Sequence, residues 1–507
     1  MRKRGPPAVG APWASQRAEG GPAAPDGILA DSPDRAGVSV SHSVFPQVDV
    51  AIVGGGASGA LVATHLAGVG ADGPRVALIE AGDRLALGAA YSTPRPEHLL
   101  NVVASGMSAF DARPDDFVDF LRAGPWAGEA PDAIRGRFAP RMLYGRYLQT
   151  ILDGLPADAP LKRMHGEVDT VSPVADGGFR LTLTSGDAFH ARTVVLAIGN
   201  ASARLPIPGA DALSSAQLRE AWDYPRVAAI DPDADVCIVG AGLSMVDAVL
   251  TLRANAHRGR IVALSRNGLM PLPHVAAAAP ASGAYAEAAL EAVLAGGVRT
   301  RMRALRAWAA HEQAAGRPWQ GVMAAVRPYV QAMWASLPVS EQRRFLRHAA
   351  RQWDIHRHRI APEVASMLEV LRAGGGFALL AGRAKALRVD DRVRIDYLGR
   401  DGAPGRIEAD VVINATGMEK RIVRTANPVL RSLLAQGLAR PGPHDIGIDT
   451  RHDGAVRDRE GCPVPGMWAL GVLRVGSLWE SVAMPELRGQ AHQVATAVRR
   501  QLADGRA

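Results

Sequence analysis

Three glycines after the first apolar segment of the chain have the spacing that a dinucleotide site requires. Gly54, Gly56 and Gly59 form a G-x-G-x-x-G run between the apolar residues 48–53 and a segment of helical character. The first glycine of such a run permits a tight turn, the second lets the backbone approach a pyrophosphate, and the third lets helix and strand pack closely. Free N–H groups at the start of the helix attract the negative charge. The run therefore predicts a diphosphate site.

An acidic residue after the next strand indicates which dinucleotide this first site holds. Residues 76–79 are a second apolar strand, and Glu80 follows it, 26 positions after Gly54. A carboxylate here can accept hydrogen bonds from the two hydroxyl groups of an adenosine ribose. We therefore expect an unphosphorylated adenosine, with Ser58 of the glycine run as a further contact. The alternative is a glycine-rich turn with an incidental surface glutamate.

The same arrangement occurs again in the middle of the chain. The apolar strand at 236–239 leads into Gly240 and Gly242, and a helical segment with Ser244 in its first turn follows. Met245 occupies the place of the third glycine, so this motif alone is less specific than the first. The repeat predicts a second diphosphate site.

The end of the next strand distinguishes the second site from the first. It carries Ser265 and Arg266 and no acid. A hydroxyl and a guanidinium can bind a 2′-phosphate, which a carboxylate would repel. We therefore expect NADPH in preference to NADH here. Arg266 as a merely solvated charge is the alternative.

Each of the two units is closed by a further apolar strand that ends near a glycine. These strands run over 194–198, before Gly199, and over 411–414, before Gly417. Two strand–glycine–helix units of this kind predict an α/β protein with two Rossmann-like, doubly wound domains. Two different dinucleotides then suggest FAD in the first domain and NADPH in the second, with hydride passing from the nicotinamide to the flavin.

Composition excludes several other classes of protein. The chain has 507 residues and only two cysteines, Cys237 and Cys462, which cannot provide a disulfide framework, a CxxC pair or a four-thiolate zinc site. The net charge of +8 is dispersed without long runs, so we expect no nucleic-acid partner. The most membrane-like segment, 275–294, is interrupted by Pro280 and by charges, so we expect no membrane span. With no signal-peptide pattern at the start, the expectation is a cytoplasmic protein.

Several further segments resemble a known family. The layout is similar to that of the flavoproteins with two dinucleotide-binding domains, and more closely to the bacterial FAD/NAD(P)-binding proteins, which are related to flavin monooxygenases and pyridine-nucleotide reductases. The segments that carry the resemblance are 98–102, 107–110, 140–145, 242–247, 263–266, 353–359, 469–471, 478–480 and 485–488.

The resemblance implies a discontinuous first domain. The FAD domain would comprise 47–215 and 420–507, and the NAD(P)H domain would comprise 216–419. A helical insertion at about 275–372 would interrupt the second domain, and 1–46 would be a disordered extension.

The same resemblance implies further cofactor contacts. Val168 matches a position whose backbone meets the adenine, and Gly471 lies where the last strand passes the flavin. Glu480, shortly afterwards, is a further expected contact. In disulfide reductases an aspartate follows the glycine, whereas this chain has Val472, which leaves the ribityl contact unassigned.

The residues of the reaction itself are less clearly marked. His356 and His358 lie in the insertion, in the densest polar cluster of the chain, and with Asn101 they are the candidate catalytic residues. Asn101 is also a candidate cofactor contact, since its side chain could form a hydrogen bond with the flavin. Structural histidines at a domain junction and a turn-forming asparagine are the alternatives. Neither histidine has further ligands nearby in the sequence, so we expect no metal. The arginines of one insertion helix are expected on a solvated face: Arg299, Arg301, Arg303 and Arg306.

These inferences predict an oxidoreductase that passes hydride from NADPH to FAD and then to oxygen or a small organic acceptor beneath the insertion. The sequence leaves open whether the reaction is that of a monooxygenase or of a reductase. A flavin-bound redox sensor or scaffold without catalysis is the alternative from another class.

Overall fold

The computed structural model describes residues 47–199, 201–275 and 279–504. The extension expected to be disordered, 1–46, lies outside these ranges. Within them the chain forms two mostly parallel sheets, of eight and seven strands, with helices on their faces.

The strands are numbered in chain order. They are β1 (Gln47–Val53), β2 (Val76–Glu80), β3 (Leu161–His165), β4 (Val168–Pro173), β5 (Phe179–Leu183), β6 (Ala188–Leu196), β7 (Leu218–Glu220), β8 (Val236–Val239), β9 (Ile261–Ser265), β10 (Phe377–Val389), β11 (Val393–Gly399), β12 (Pro404–Ala409), β13 (Val411–Asn414), β14 (Ala455–Arg457) and β15 (Pro463–Ala469).

The α-helices are numbered in the same way. They are α1 (Ala57–Ala67), α2 (Gly88–Tyr91), α3 (Asp116–Ala123), α4 (Pro131–Arg135), α5 (Arg141–Asp153), α6 (Tyr224–Ala228), α7 (Leu243–Ala254), α8 (Ala284–Leu294), α9 (Val298–Ala314), α10 (Gln320–Val326), α11 (Val330–Ala335), α12 (Val339–His348), α13 (Ala350–Arg357), α14 (Pro362–Ala373), α15 (Pro428–Gln436), α16 (Val475–Leu478) and α17 (Met484–Asp504).

The first sheet is built from both ends of the chain. Its order is β14–β15–β6–β1–β2–β3, with β4 and β5 forming an antiparallel extension on β6. The pairs from β15 to β3 are parallel, and β14 is antiparallel to β15. Helices cover both faces, so β1 is buried along nearly its whole length, which explains its mostly apolar sequence. The buried Asp49 within it accepts hydrogen bonds from the backbone N–H and the guanidinium Nε of Arg75.

The second sheet repeats this plan. Its order is β12–β11–β10–β9–β8–β13–β7, parallel from β10 to β7 and antiparallel at β11 and β12. Strand β8 lies between β9 and β13, as β1 lies between β2 and β6. The two glycine runs therefore follow equivalent central strands of two sheets.

Two chain segments cross between the sheets side by side. Ser202 and Met418 form an antiparallel bridge. Beside it, the Ala203 N–H donates to the Gly417 carbonyl at 3.0 Å, and the Glu419 N–H donates to the Ala201 carbonyl at 2.8 Å. This pairing joins the two halves of the chain at the point where it leaves and re-enters the first sheet.

The insertion is shorter than its sequence suggests. Helices α8 to α13, between β9 and β10, share an apolar core of their own that includes Trp308 and Trp334. The last helix of the expected range, α14, packs instead on the second sheet through residues such as Val364 and Leu368. Both kinds of helix have one apolar face, so the sequence does not show which core each one joins.

One arginine of the insertion corrects the expected solvated face of α9. Arg301 is only 5% exposed, and its guanidinium donates to the carbonyls of Met333 at 2.7 Å and Gly296 at 2.9 Å. It fastens α9 to its neighbours, because buried charged groups require such partners. Arg299, Arg303 and Arg306 are exposed as expected.

Among the described helices, none combines the length and the apolar character that crossing a bilayer would need.

Candidate dinucleotide sites

The first glycine run adopts a conformation that only glycine allows at two positions. Gly54 has a φ of +103°, and a Cβ atom there would lie 2.5 Å from the Ala197 carbonyl oxygen. A Cβ atom on Gly59 would lie 1.9 Å from the Gly54 carbonyl oxygen. The first glycine thus makes the turn between β1 and α1, and the third lets α1 pack directly on that turn.

Helix α1 leaves its first N–H groups free of side-chain caps. Gly56 precedes the helix in extended conformation, and no side chain accepts a hydrogen bond from the first turn. The free N–H groups and the helix dipole make this a suitable place for a phosphate.

Glu80 is fixed at the end of β2 beside the glycine run. Its Oε2 accepts a hydrogen bond from the Gly55 N–H at 2.8 Å, and its Oε1 accepts one from the Gly82 N–H at 2.9 Å. Each carboxylate oxygen can accept a second hydrogen bond, so the group is held in place and can still bind a ribose diol.

A cavity of about 920 Å³ lies along the carboxyl ends of the parallel strands of the first sheet. Ligands of open α/β sheets bind at this edge. The residues that the sequence predicted and that line this cavity are Gly54, Gly56, Ser58, Glu80, Val168, Gly199 and Gly471.

Gly471 follows the last strand of the first sheet and lies close to the first helix. Its φ is +70°, and a Cβ atom there would lie 3.3 Å from both the Ser58 hydroxyl oxygen and a Leu487 methyl carbon. The Gly471 carbonyl accepts a hydrogen bond from Ser481 Oγ at 2.8 Å. Because glycine has no side chain, the cavity stays open between β15 and α1.

Basic side chains that sequence reasoning missed also line this cavity. They are Arg204, from the first crossing segment, and Lys420, Arg421 and Arg424, from the chain that follows the second. These positive side chains suit a ligand with two phosphates, and the acidic Glu167 and Glu419 line the cavity as well. No motif marked the basic residues, because they reach the cavity only through the return of the chain to the first sheet.

The glycines, the uncapped helix, Glu80 and the basic lining together fit an adenine dinucleotide with an unphosphorylated ribose. A cavity crossing the strand ends from Val168 to Gly471 suits an extended molecule. The residues present therefore fit FAD.

The second glycine run repeats the turn of the first. Gly240 has a φ of +120°, and a Cβ atom there would lie 2.2 Å from the Ala415 carbonyl oxygen, as Gly54 is placed against Ala197. Gly242 precedes α7, which has no side-chain cap, and a Cβ atom on Gly242 would meet open space. The loop therefore has room for a ligand above it.

The two serines predicted for the second site are held by neighbouring groups. Ser244 Oγ accepts a hydrogen bond from Trp222 Nε1 at 3.1 Å, and Ser265 Oγ accepts one from the Gly268 N–H at 3.1 Å. Arg266 is exposed directly after β9. Its guanidinium is accessible to an anion at the end of the strand.

The insertion brings another arginine to the second glycine run. Arg351 Nη2 donates to the carbonyls of Ala241, at 2.8 Å, and Leu269. Burial lowers the pKa of Arg351, and the charge of Arg266 lowers it further. Sequence reasoning missed Arg351, since nothing in helix α13 indicates that it reaches a loop about a hundred residues earlier in the chain.

Glu480 requires a correction, because its carboxylate faces the insertion. Its Oε1 accepts a hydrogen bond from Trp353 Nε1 at 3.0 Å, and its Oε2 accepts one from Arg357 Nε at 2.8 Å. Glu480 is buried and does not line the cavity. The structure places it as an anchor of the insertion and not as a cofactor contact. Gly417 lies at the chain crossing, directly before Met418, which lines the cavity.

The three candidate catalytic residues are not brought together on the cavity. Asn101 contributes its carbonyl, which accepts a hydrogen bond from His274 Nε2 at 3.0 Å. His356 Nδ1 donates to the Gln352 carbonyl at 2.7 Å within α13, and its ring lies 4.9 Å from that of Trp319. His358 directly follows the end of α13, and neither histidine lines the cavity.

Three half-buried histidines have pKa values lowered from 6.5 to about 4, namely His65, His274 and His358. Burial is the largest cause in each case, and neighbouring positive charges add to it. The unfolded chain protonates these rings at higher pH than the folded chain does, so the free energy of unfolding rises with pH between about 4 and 6.5. We expect urea denaturation to show a loss on the order of a few kcal/mol on going from pH about 7 to about 4.5.

A His65→Asn variant provides the control for this pH dependence. It removes one of the three contributions, so its stability should change less over the same pH range than that of the unchanged protein. A denaturation midpoint that stays constant across the range would contradict the lowered pKa values.

A buried polar network joins the two domains beside these sites. Both guanidinium Nη atoms of Arg141, at the start of α5, donate to the carboxylate of Asp247 in α7, each at 2.7 Å. The His98 ring is fully buried, and its Nε2 donates to the Asp247 carbonyl at 3.1 Å while Nδ1 accepts from Thr93 Oγ1 at 2.8 Å. Burial lowers the pKa of His98. The network fixes α5 against α7.

Over the described ranges, no three His, Cys, Asp or Glu side chains are grouped so that they could hold a metal ion.

Comparison with known proteins finds a similarity in the part of the chain that contains the first of these sites. Residues 51–201 match a family model described as FAD-NAD(P)-binding. The chain contains an FAD/NAD(P)-binding domain. A ferredoxin–NADP reductase from Rhodopseudomonas palustris (strain BisB18) is 30% identical over 129 residues, which are 25% of this chain and 36% of that protein. The match thus spans little more than a third of that relative.

Solved structures share the fold over most of the chain. The L-lysine 6-monooxygenase from Pseudomonas syringae superposes with a TM-score of 0.63 at 17% identity, covering 90% of this chain and 100% of that chain. An ornithine N-hydroxylase from Kutzneria sp. 744 has a TM-score of 0.61 at 14% identity, with 90% and 100% covered. The predicted fold class is confirmed. The residues that match the family model lie within this shared fold.

Proposed function

We propose that this chain is an FAD-dependent oxidoreductase that takes hydride from NADPH and passes electrons to oxygen or a small organic acceptor. The observation that carries this proposal is the pair of equivalent glycine loops on two sheets, one followed by Glu80 and the other by Ser265 and Arg266. We assign 47–215 and 420–507 to the FAD domain and 216–419 to the NADPH domain. The structure of the Kutzneria enzyme with reduced FAD, NADP⁺ and L-ornithine supports the same pair of cofactors.

In the first domain, each group has a distinct part in holding FAD. The loop at Gly54 and Gly56 and the start of α1 would bind the diphosphate, with Ser58 beside it. Glu80 would bind the adenosine ribose, and Val168 would lie against the adenine. When bound, the flavin supplies the means to accept a hydride and release electrons singly or in pairs.

In the second domain, the loop at Gly240 and Gly242 and the start of α7, with Ser244, would bind the NADPH diphosphate. Arg266 and Ser265 would bind the 2′-phosphate, and Arg351 would complete the positive charge around this loop. The network of Arg141 and Asp247 would hold the two domains, and with them the two bound cofactors, in a fixed relative position.

Replacing Arg266 by alanine is expected to weaken NADPH selectively. A charge-assisted hydrogen bond contributes about 1.5–3 kcal/mol, so KM for NADPH should rise about tenfold to a hundredfold. KM for NADH should change little, because NADH lacks the 2′-phosphate. The measurement is steady-state flavin reduction with each nucleotide.

Arg260→Ala provides the matched control for Arg266. Arg260 is an exposed arginine at the opposite end of the same strand, so its loss should leave both KM values unchanged. Equal losses for NADPH and NADH in the Arg266 variant would remove the basis for choosing NADPH.

The acceptor of the electrons is tested by the products. Oxygen consumption that yields an oxygenated organic product would indicate a monooxygenase, and release of hydrogen peroxide alone or reduction of an organic acceptor would indicate an oxidase or reductase. The rival function, a flavin-bound sensor or scaffold, requires bound FAD with negligible NADPH turnover in the presence of every acceptor tried.

A further inference from the structure

Arg359 is half-buried, and two of the three nitrogens of its guanidinium group have no acceptor in the described part of the chain. Its Nε and Nη1 atoms are both hidden from solvent, and within the described residues neither makes a hydrogen bond. The guanidinium lies 5.8 Å from the centre of the Trp319 ring. Burial of an unpaired charged group is strongly unfavourable, and native proteins seldom keep such groups without a partner or a task.

The carboxylates that bind the neighbouring Arg357 are engaged by that arginine and by Arg327. Arg357 pairs with Glu480 at 2.8 Å and with Glu486 at 3.6 Å. Glu486 also pairs with Arg327 at 2.9 Å. Burial and the charge of Arg357 lower the pKa of Arg359 to about 10, so Arg359 keeps its proton at neutral pH.

The position of Arg359 is a junction of three parts of the molecule. Ile360, the next residue, forms a bridge with Pro273 of the second domain. The adjoining His274 donates to the Asn101 carbonyl of the first domain at 3.0 Å, and its pKa is lowered by burial and by Arg359. The insertion contributes Trp319 and Arg359 itself. Arg359 therefore lies where both domains and the insertion meet.

This junction also adjoins the cavity assigned to FAD. Arg357, two residues before Arg359, pairs with Glu480 at 2.8 Å. The ring centre of the preceding Trp479 lies 5.6 Å from the ammonium group of Lys420, which lines that cavity. Phe138 packs against His274 with 4.9 Å between ring centres, so half-buried aromatic surface lies beside the positive charge. A small molecule with an anionic group and an apolar part matches such surroundings.

We propose that Arg359 binds the carboxylate of a small organic acid that serves as substrate, and thereby positions it toward the flavin. The statement that this acid is a substrate rests on the proposed function. The anion site itself rests on the unpaired guanidinium nitrogens. A carboxylate matches a guanidinium in charge and planarity. The phosphates of NADPH are the competing source of the anion. The second glycine loop already provides partners for them, which favours a carboxylate at Arg359.

Calorimetric titration of the FAD-loaded full chain tests the site. The probes are acetate, hexanoate and benzoate, each compared with its amide, together with inorganic phosphate and NADP⁺. We expect at least one of the carboxylates to bind and its amide not to bind. Arg359→Gln should weaken that carboxylate at least about tenfold while NADP⁺ affinity stays unchanged.

Arg303→Gln is the matched control, since Arg303 is an exposed arginine of the same insertion. It should bind every probe as the unchanged protein does. Arg359→Lys keeps the positive charge but lacks the paired N–H donors of the guanidinium, so it should weaken carboxylate binding severalfold. This variant provides the test if the glutamine variant does not fold.

Three results would overturn the Arg359 site: no carboxylate binds the unchanged protein, carboxylate and amide bind alike, or Arg359→Gln weakens NADP⁺ or phosphate and not the carboxylate. Anaerobic flavin reduction by NADPH is measured in parallel. If carboxylate binding depends on Arg359 but NADPH does not reduce the flavin, the proposed function fails and the anion site stands.

Discussion

Replacing Gly59 by alanine is expected to abolish retention of FAD. The added Cβ atom would lie 1.9 Å from the Gly54 carbonyl oxygen, in the backbone of the diphosphate loop, where no flexible side chain can give way. Helix α1 must then separate from β1, and the loop loses its shape. We expect FAD affinity to fall at least about a hundredfold, or about 2.7 kcal/mol. The measurement is flavin content after gel filtration, followed by titration with FAD.

Gly136→Ala is the matched control for Gly59→Ala. It makes the same chemical change in the same domain, at a glycine with a φ of −86° and no atom within 4 Å of the added Cβ. Its flavin content should equal that of the unchanged protein. Normal flavin content in the Gly59 variant would contradict the role of the loop.

Replacing Arg141 by methionine is expected to destabilise the protein by about 3–5 kcal/mol, because it leaves the Asp247 carboxylate buried without its partner. The two side chains are only 16% and 5% exposed. The pair also joins α5 of the first domain to α7 of the second. Hydride transfer in any protein that remains folded should therefore slow as well. Chemical denaturation and single-turnover flavin reduction measure the two effects.

Two further variants separate the buried charge from the loss of packing. Arg141→Met combined with Asp247→Leu should recover most of the stability, since an apolar pair of similar volume can replace a buried ion pair. Arg258→Met breaks a similar bidentate pair with Asp233 that is well over half exposed, and should change stability by less than about 1 kcal/mol. Equal losses of stability from Arg141→Met and Arg258→Met would show that burial at the domain junction does not raise the cost of breaking the ion pair.

The two sheets could be predicted because their signals are local. An apolar run such as β1 and a glycine such as Gly54 report their own surroundings, since a strand covered on both faces must be apolar and a turn with positive φ favours glycine. Glu80 and Arg266 could be predicted as well, because each lies at the end of a strand that its own sequence reveals. For this reason the first cavity contains most of the residues predicted for it.

Other features could not be read from the sequence because they depend on distant partners. Glu480 has the same residue type whether it meets a cofactor or Arg357, which lies 123 positions earlier. Arg301 and Arg303 are two positions apart on one helix, yet one is buried and the other exposed. Arg351 and Lys420 reach their sites only through the packing of the insertion and the return of the chain.

The most direct test is the visible spectrum of the purified full chain before and after anaerobic addition of NADPH or NADH. We expect a yellow protein that releases FAD on denaturation, and whose flavin absorbance is bleached by NADPH at concentrations well below those needed for NADH. A colourless protein that cannot be reconstituted with FAD, or a flavin that neither nucleotide reduces, would contradict a chain that binds both cofactors for hydride transfer.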